Sequence, residues 1–282
     1  MIHSVDLVMW TKNGATTLPE VLGSIDQVVP KEVIHKRVIV DDNSTDNTRE
    51  IAKKFGWTVV FNDGNGISDG ANTALKHVES DFFISFEQDL VLAQDWWQKI
   101  PKYLSNPKTA VASGIRLPNQ PSVVKAIQEY SMERNRQDIN ETAAFLYGKT
   151  LDNTIYKTSV IKKIGGFPKI TISAGVDNML AKKISAANFE WKVDYNVCSI
   201  HLRKNLRQEL AHNYWYGVCF SALSPMVFNQ NVKISPIAFR VFLSPIRALE
   251  IAVKKCAPQA IYAYPLMRFM MLKGILRGIK HS

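Results

Sequence analysis

The chain has 282 residues, of which 46% are hydrophobic and 21% charged, so it can bury a substantial core beneath an ordinary globular surface. Its length suits one large domain or one domain with an appendage, and its formal net charge of +10 is uneven. From residue 210 onward there are nine Lys or Arg against one acid, Glu250, so the basic character belongs to the tail. Cys198, Cys219 and Cys256 are widely spaced and form no C-x-x-C pair, which points to free thiols in a reducing compartment rather than a disulfide framework or zinc site. The first residues lack the charged-then-apolar order of a signal peptide, and no run of about 18 apolar residues predicts a membrane span. Ala211 to Val232 has no Lys, Arg, Asp or Glu but is broken by Asn213, Pro225 and Asn229, so it reads as buried or interfacial.

Strand and helix signals alternate from the start. Val5 to Trp10 is a short apolar strand broken by Thr11-Lys12-Asn13-Gly14, and Leu18, Val21, Leu22 and Ile25 give 16–28 a helical spacing. His35 to Val40 is a second strand running into Asp41-Asp42-Asn43-Ser44-Thr45-Asp46. Ser44 or Thr45 is placed to cap a helix over 47–55, with Asp46 in its first turn and Gly56 as its stop. Trp57 to Phe61 is a third strand, 62–66 its turn, and 68–78 a third helix. The fourth strand, rich in Phe82, Phe83, Ile84 and Phe86, reads as covered on both faces and ends on Glu87-Gln88-Asp89. This alternation predicts a mainly parallel α/β sheet flanked by helices, with ligands beyond the carboxyl ends of its strands.

Further along, 96–104 has helical spacing, 110–115 reads as a strand, 118–121 as a loop and 122–137 as a helix. A short strand over 155–158 precedes a helical turn stopped by Gly165-Gly166-Phe167-Pro168. Ala174-Gly175-Val176-Asp177 opens a helix to Ala187, and 191–200 alternates as one or two strands followed directly by His201.

Two acidic clusters, 41–42 and 87–89, fall at predicted strand ends. Residues two apart in extended chain point to the same side, so Glu87 and Asp89 can face one crevice. Such paired hard oxygens suit Mg²⁺ or Mn²⁺ bridging a nucleotide diphosphate, and two solvated acids in a surface loop are the plainer alternative.

In order and spacing, Val40-Asp41-Asp42-Asn43-Ser44-Thr45-Asp46-Asn47-Thr48, the acid-x-acid at 87–89, Gly165-Gly166-Phe167 and Gly175-Val176-Asp177 resemble the inverting family 2 glycosyltransferases of the GT-A fold, over about residues 4–205. The resemblance implies a GT-A type, Rossmann-like catalytic domain over 1–210 and a C-terminal helical, basic and amphipathic extension over 211–282. It implies transfer of a sugar from a UDP- or GDP-sugar to an acceptor hydroxyl or phosphate, by single displacement with inversion and with Mn²⁺ or Mg²⁺ as cofactor. Thr11, Asn13, Asp41, Asp42, Asp69, Glu87 and Gln88 match nucleotide-sugar-binding positions, with Asp42 preferred for base or ribose. Asp89 matches a metal ligand, His201 a further one, and Glu87 stands where Asp is commoner. Asp177 matches the general base, although Val176 replaces the usual first acid; helix capping is its plainer role. An arginine frequent near position 69 in the family is missing.

In the tail, Arg240, Arg247 and Lys254 are seven apart, Pro236, Pro245, Pro258 and Pro265 divide the segment into short pieces, and apolar and basic residues mix near the end. That pattern suits helices in a membrane interface with anionic headgroups, and a helical subdomain with a solvated basic face is the alternative. The expectation is a cytoplasmic protein peripheral on the inner face of the cell membrane, with a polyprenyl-linked or glycolipid acceptor. A dinucleotide-dependent oxidoreductase is rejected, because Gly64-Asn65-Gly66 and Gly70 are misspaced and follow the third strand. The loop after the first strand is too sparse for a sugar-1-phosphate nucleotidyltransferase. A non-catalytic nucleic-acid or membrane binder on the same scaffold is the remaining rival, but acids at the strand ends repel phosphates, so no nucleic acid is expected.

Overall fold

The computed structural model describes residues 2–118, 122–137, 148–170, 172, 174–202, 205–228 and 231–280. They form two compact units, Met1–Arg116 with Gly148–Leu202, and Leu117–Tyr147 with Arg203–Ser282. This differs from the single boundary at residue 210 expected from sequence. The packing boundary falls earlier, and the helix within 122–137 groups with the tail, because it packs on tail helices. Of the loop expected over 118–121, only Pro118 lies within the described residues.

In the first unit β1 (Val5–Thr11), α1 (Leu18–Val28), β2 (Ile34–Asp41), α2 (Thr48–Lys54), β3 (Thr58–Phe61), α3 (Gly66–Lys76) and β4 (Phe82–Glu87) alternate as predicted. Next come β5 (Leu90–Val91), α4 (Trp96–Lys99) and β6 (Thr109–Pro118), then α5 (Val123–Gln137), which belongs to the second unit. The first unit resumes with β7 (Thr154–Lys157), α6 (Thr158–Lys163), α7 (Val176–Ala186) and β8 (Glu190–His201). The helix expected over 96–104 is interrupted at Pro101, where a 3₁₀ turn takes over, because proline has no amide to continue the ladder. Ser44, expected as a helix cap, instead accepts the Asn13 amide at 2.9 Å.

The sheet order is β3-β2-β1-β4-β7-β6-β8-β5. The first four strands are parallel, whereas β7 runs antiparallel to β4 and β6, and β5 antiparallel to β8. The sheet is thus parallel where helices alternate with strands and mixed beyond. Strand order reverses at β1, the place where open sheets leave a crevice at their carboxyl edge. The register there is fixed: Thr11 lies opposite Asp41 on one side, and Trp10 opposite Glu87 on the other. Every residue of β1 is buried, as expected of a strand covered on both faces. Its Leu7 and Met9 share a core with Leu18, Leu22 and Ile25 of α1 and with Trp96.

The second unit is helical: α5 with α8 (Leu206–Phe228), α9 (Ile234–Phe242), α10 (Ser244–Lys254) and α11 (Ala260–Ile279). Ile127 and Tyr130 of α5 share a small core with Ile251, Ala260, Ala263 and Met267. The apolar stretch from Ala211 lies mostly within α8, and α11 runs through Pro265 instead of breaking there. α8 and α11 approach closely enough that a Cβ on Gly217 would overlap the Met271 carbonyl oxygen, and one on Gly274 that of Tyr214. Among the described residues no helix is long and apolar enough to cross a membrane.

One acid of β1 is structural. Asp6 is fully buried, accepts the amides of Glu79 at 2.6 Å and Ser80 at 2.9 Å, and meets the Ser80 hydroxyl at 3.0 Å and His35 Nδ1 at 2.9 Å. Burial alone raises its pKa, but the Ser80 and Glu79 amides and the side chains of His35 and Ser80 outweigh it, so the net shift is below the ordinary 3.8. A depressed acid stabilises the fold above its unfolded pKa and loses that contribution as pH falls through its folded one. Asp6→Asn is therefore expected to cost about 2 kcal/mol at pH 7 in denaturant unfolding, because one acceptor replaces a charged pair of them. The gap from the parent protein is expected to narrow below pH 3.8; a gap constant with pH would remove the assigned role.

Candidate functional site

An open cleft of about 310 Å³ lies at the carboxyl ends of β1, β2 and β4, lined by Trp10, Thr11, Lys12, Asp42, Asn62, Gly66, Ile67, Glu87, Gln88 and Asp89. Five residues singled out from the sequence therefore meet in one place: Thr11, Asp42, Glu87, Gln88 and Asp89. Asp42 is held by Asn62 Nδ2 at 3.0 Å, with the Gly66 amide and Lys12 Nζ each 3.4 Å from its second oxygen. Gly66 has φ +73, in the left-handed region, and Gly70 sits where a Cβ would lie 3.0 Å from Cβ of Trp10. These glycines let α3 start close against the crevice.

Gln88 is less available than its position suggests. Its side-chain amide accepts from the Thr11 hydroxyl and from the Lys12 amide at 2.9 Å, and donates to the Lys12 carbonyl at 3.1 Å. Three expected nucleotide contacts, Asn13, Asp41 and Asp69, do not line the cleft, and one oxygen of each accepts a local backbone amide. Asn13 adopts φ +51, and its Oδ1 accepts the Thr45 amide at 2.8 Å, tying the β1 loop to the β2 loop. Asp41 is buried and accepts the Ser44 amide at 3.0 Å, which forms the turn after β2. Asp69 reaches back to the Asn65 amide at 2.9 Å at the start of α3.

Glu87, Asp89 and His201 come together, each presenting a ligand atom within 4.8 Å of the others. The pairing of β5 with β8 puts Leu90 opposite His201, and His201 Nε2 stands 3.1 Å from Asp89 Oδ2. Two ligands of one octahedral ion stand about 3 Å apart when adjacent and about 4 Å when opposite, so this spacing fits one divalent cation. Two carboxylates and one imidazole beside an open cleft are donors that suit Mn²⁺ and tolerate Mg²⁺.

Two charged residues of the site were not anticipated. Arg116, at the carboxyl end of β6, contacts Glu87 at 3.1 Å through Nη1, and the same nitrogen donates to Asp152. Asp152 is fully buried and also accepts from the Thr150 hydroxyl. The register explains the meeting: Ser113 of β6 lies opposite Thr154 of β7, so the antiparallel pair carries Arg116 past the residues that precede β7. The signal available in the sequence was a lone cation immediately after a strand, next to a strand preceded by an acid.

Arg116 also links the two halves of the site electrically. Burial first, then Asp152, pushes the Glu87 carboxyl up to about 8, against the pull of Arg116, and the charges of Asp89 and Asp177 add to the rise. Asp177 is likewise pushed up to about 6 by burial, opposed by the Asn178 amide and by Arg116. Asp177 sits in the first turn of α7 after Gly175, whose φ of +89 suits glycine, and its Oδ1 accepts the Asn178 amide at 2.8 Å. It does not line the cleft itself, but Glu87, Asp152, Asp177 and Arg116 act on one another as a single electrostatic group. The loop leading to α7 is fixed by Phe167, whose ring packs edge-on to Trp10 at 6.0 Å and Tyr156 at 5.8 Å, and whose backbone is bracketed by the Asn72 amide at 3.0 Å on both sides.

Known proteins resemble this chain in sequence and in fold. The chain is 28% identical to the O-antigen chain rhamnosyltransferase WbaN of Salmonella anatum over 67% of its own residues, and spans 64%, less than two thirds, of that protein's length. Its fold matches that of the mannosyltransferase PcManGT from Pyrobaculum calidifontis, solved with GDP-Man and Mn²⁺, with a TM-score of 0.70 at 16% identity, covering 99% of this chain and 87% of that one. Glucosyl-3-phosphoglycerate synthase from Mycobacterium tuberculosis, solved with Mn²⁺ and UDP, matches with a TM-score of 0.55 at 13% identity over 80% of each chain. The fold is thus the GT-A type of these transferases. Residues 6–165, more than half of the chain, match the family described as Glycosyl transferase family 2, and with its strand-end cleft and acidic cluster in place the chain belongs to that family.

Proposed function

We propose that the protein transfers a sugar from a nucleoside-diphosphate sugar, a UDP- or GDP-sugar, to an acceptor hydroxyl or phosphate by single displacement with inversion. The observation that carries this reading is the Glu87, Asp89 and His201 triad, two members of which line the strand-end cleft. A Mn²⁺ or Mg²⁺ ion held by Asp89, His201 and Glu87 would supply positive charge for the departing diphosphate. Asp42 accepts hydrogen bonds from ribose or base at the cleft wall, with Asn62 and the Gly66 amide setting its orientation. Asn13, Asp41, Asp69 and Gln88 serve that wall by shaping its loops, and Thr11 by fixing Gln88.

Asp177 takes the proton of the acceptor hydroxyl as that oxygen attacks the anomeric carbon from the face opposite the diphosphate. A carboxyl pushed up to about 6 by burial is a stronger base than a solvated one, yet it remains ionised near neutral pH. Arg116 keeps this charge tolerable, and among the described residues Asp177 has no direct ion pair. An acceptor carried on a lipid is part of the reading, supported by the likeness to an O-antigen chain transferase and by the basic tail.

Mn²⁺-dependent hydrolysis of a panel of UDP- and GDP-sugars tests the proposal; one or more is expected to turn over, and inertness of all of them with no thermal protection would overturn it. Asp177→Asn is expected to lower turnover by roughly a hundredfold to ten-thousandfold and to leave UDP or GDP affinity unchanged. Because only the ionised base accepts the proton, kcat/KM is expected to rise with pH through about 6 and then level off; a profile flat across that range would remove Asp177 as the base. Asp89→Asn and His201→Ala are each expected to weaken Mn²⁺ binding by roughly tenfold or more in calorimetry of the free protein. Unchanged Mn²⁺ affinity in both would dismiss the triad as the cation site.

A further inference from the structure

The second unit carries an apolar face that its own packing leaves open. α9 has no buried residue, although Phe239 and Phe242 stand on it. Leu243, with φ −80 and ψ −3, is the single turn residue between α9 and α10, and its amide bonds the Phe239 carbonyl at 3.0 Å. Phe239, Phe242, Ile246, Leu249 and Val253 recur every three or four residues along that face, and each is between 55% and 78% exposed. The opposite side of α10 does the packing, through Ser244, Ala248 and Ile251. An apolar stripe of this length in water, on a helix whose other face already meets the core, marks an interaction surface.

Its charge identifies the partner. Arg240, Arg247 and Lys254 recur at intervals of seven, which sets them in one row about 100° round the helix from the apolar stripe. Glu250, the sole acid of the tail, pairs with Lys254 at 2.7 Å, and Glu133 of α5 pairs with Lys255, so among the described residues Arg240 and Arg247 are the cations of the row without an ion pair. Long cationic side chains beside large apolar ones match a bilayer interface, where rings and aliphatic groups enter the acyl boundary and the cations reach anionic headgroups. A second copy of the chain is the poorer fit, because an isologous contact through this face would bring two basic rows onto one rim.

We propose that the α9–α10 face docks the protein on an anionic lipid bilayer, lying in its interface without crossing it. The inference stands apart from the transferase reading, since lipid binding needs neither donor nor cation. Flotation of the full chain with vesicles of phosphatidylcholine alone, or of phosphatidylcholine and phosphatidylglycerol in equal parts, tests it. The chain is expected to float with the anionic vesicles and to be released as salt is raised. The variant Phe242→Ser/Ile246→Ser/Val253→Ser is expected to bind roughly tenfold more weakly, with an unchanged unfolding transition. Arg240→Gln/Arg247→Gln alters no residue of the buried core and is expected to erase the preference for phosphatidylglycerol, an independent readout. The proposal is overturned if the parent chain stays soluble with both vesicles, if the serine variant floats as well as the parent, or if gel filtration shows a dimer that the serine variant abolishes.

Discussion

The site depends on one cation, the Arg116 guanidinium, set among carboxylates that the sheet delivers to its carboxyl edge. Glu87 arrives from β4, Asp152 from the approach to β7, and Asp177 from the start of α7. Taken out of water without a counter-charge, such acids would protonate or force the loops apart. One arginine cannot neutralise all of them, and the residue of unmatched negative charge appears as carboxyls held well above their ordinary range at Glu87 and Asp177. That imbalance makes the pocket attractive to a further cation and keeps one carboxylate basic near neutral pH. Fold stability and chemistry are therefore set by the same contacts.

Around this centre, side-chain amides do the work of fixing loops. Gln88 pairs with the backbone of Lys12 and prolongs the contact between β1 and β4 beyond the last ladder bond. Asn13 joins the first two strand-end loops, and Asn72 clasps the backbone at Phe167 on the way to Asp177. Each bond is individually modest, about 1 kcal/mol net, but together they hold three loops from different crossovers in register with the sheet.

The parallel half of the fold was legible in the sequence, because its strands are short apolar runs and its helices show 3-4 spacing in Leu18, Val21, Leu22 and Ile25. The acid-x-acid that begins on the last residue of β4 and His201 at the end of β8 were legible for the same reason, as each marks a strand end that is easily recognised. What remained hidden depends on long-range register. Nothing local tells that β6 and β7 pair antiparallel, and without that pairing Arg116 and Asp152 are just charges on different segments. Asp41 and Asp69 share the opposite difficulty: an acid that closes a turn and an acid that faces a ligand have the same local sequence, and only the direction of the side chain separates them. The helical tail was legible as amphipathic, but which face it spends on packing required α5, whose Tyr130 meets Glu250 across 120 residues of chain.

The proposed transfer needs a cavity of excess negative charge, tethered by one guanidinium, to receive a divalent ion on one side and an attacking oxygen on the other. Crystals grown with Mn²⁺ and UDP or GDP test this most directly, by the anomalous signal of manganese. The account predicts a peak about 2.2 Å from carboxylate oxygen of Asp89 and from His201 Nε2, with the nucleotide's phosphates reaching the same ion. Manganese bound elsewhere, or a nucleotide seated away from the edge formed by β1, β2 and β4, would contradict it.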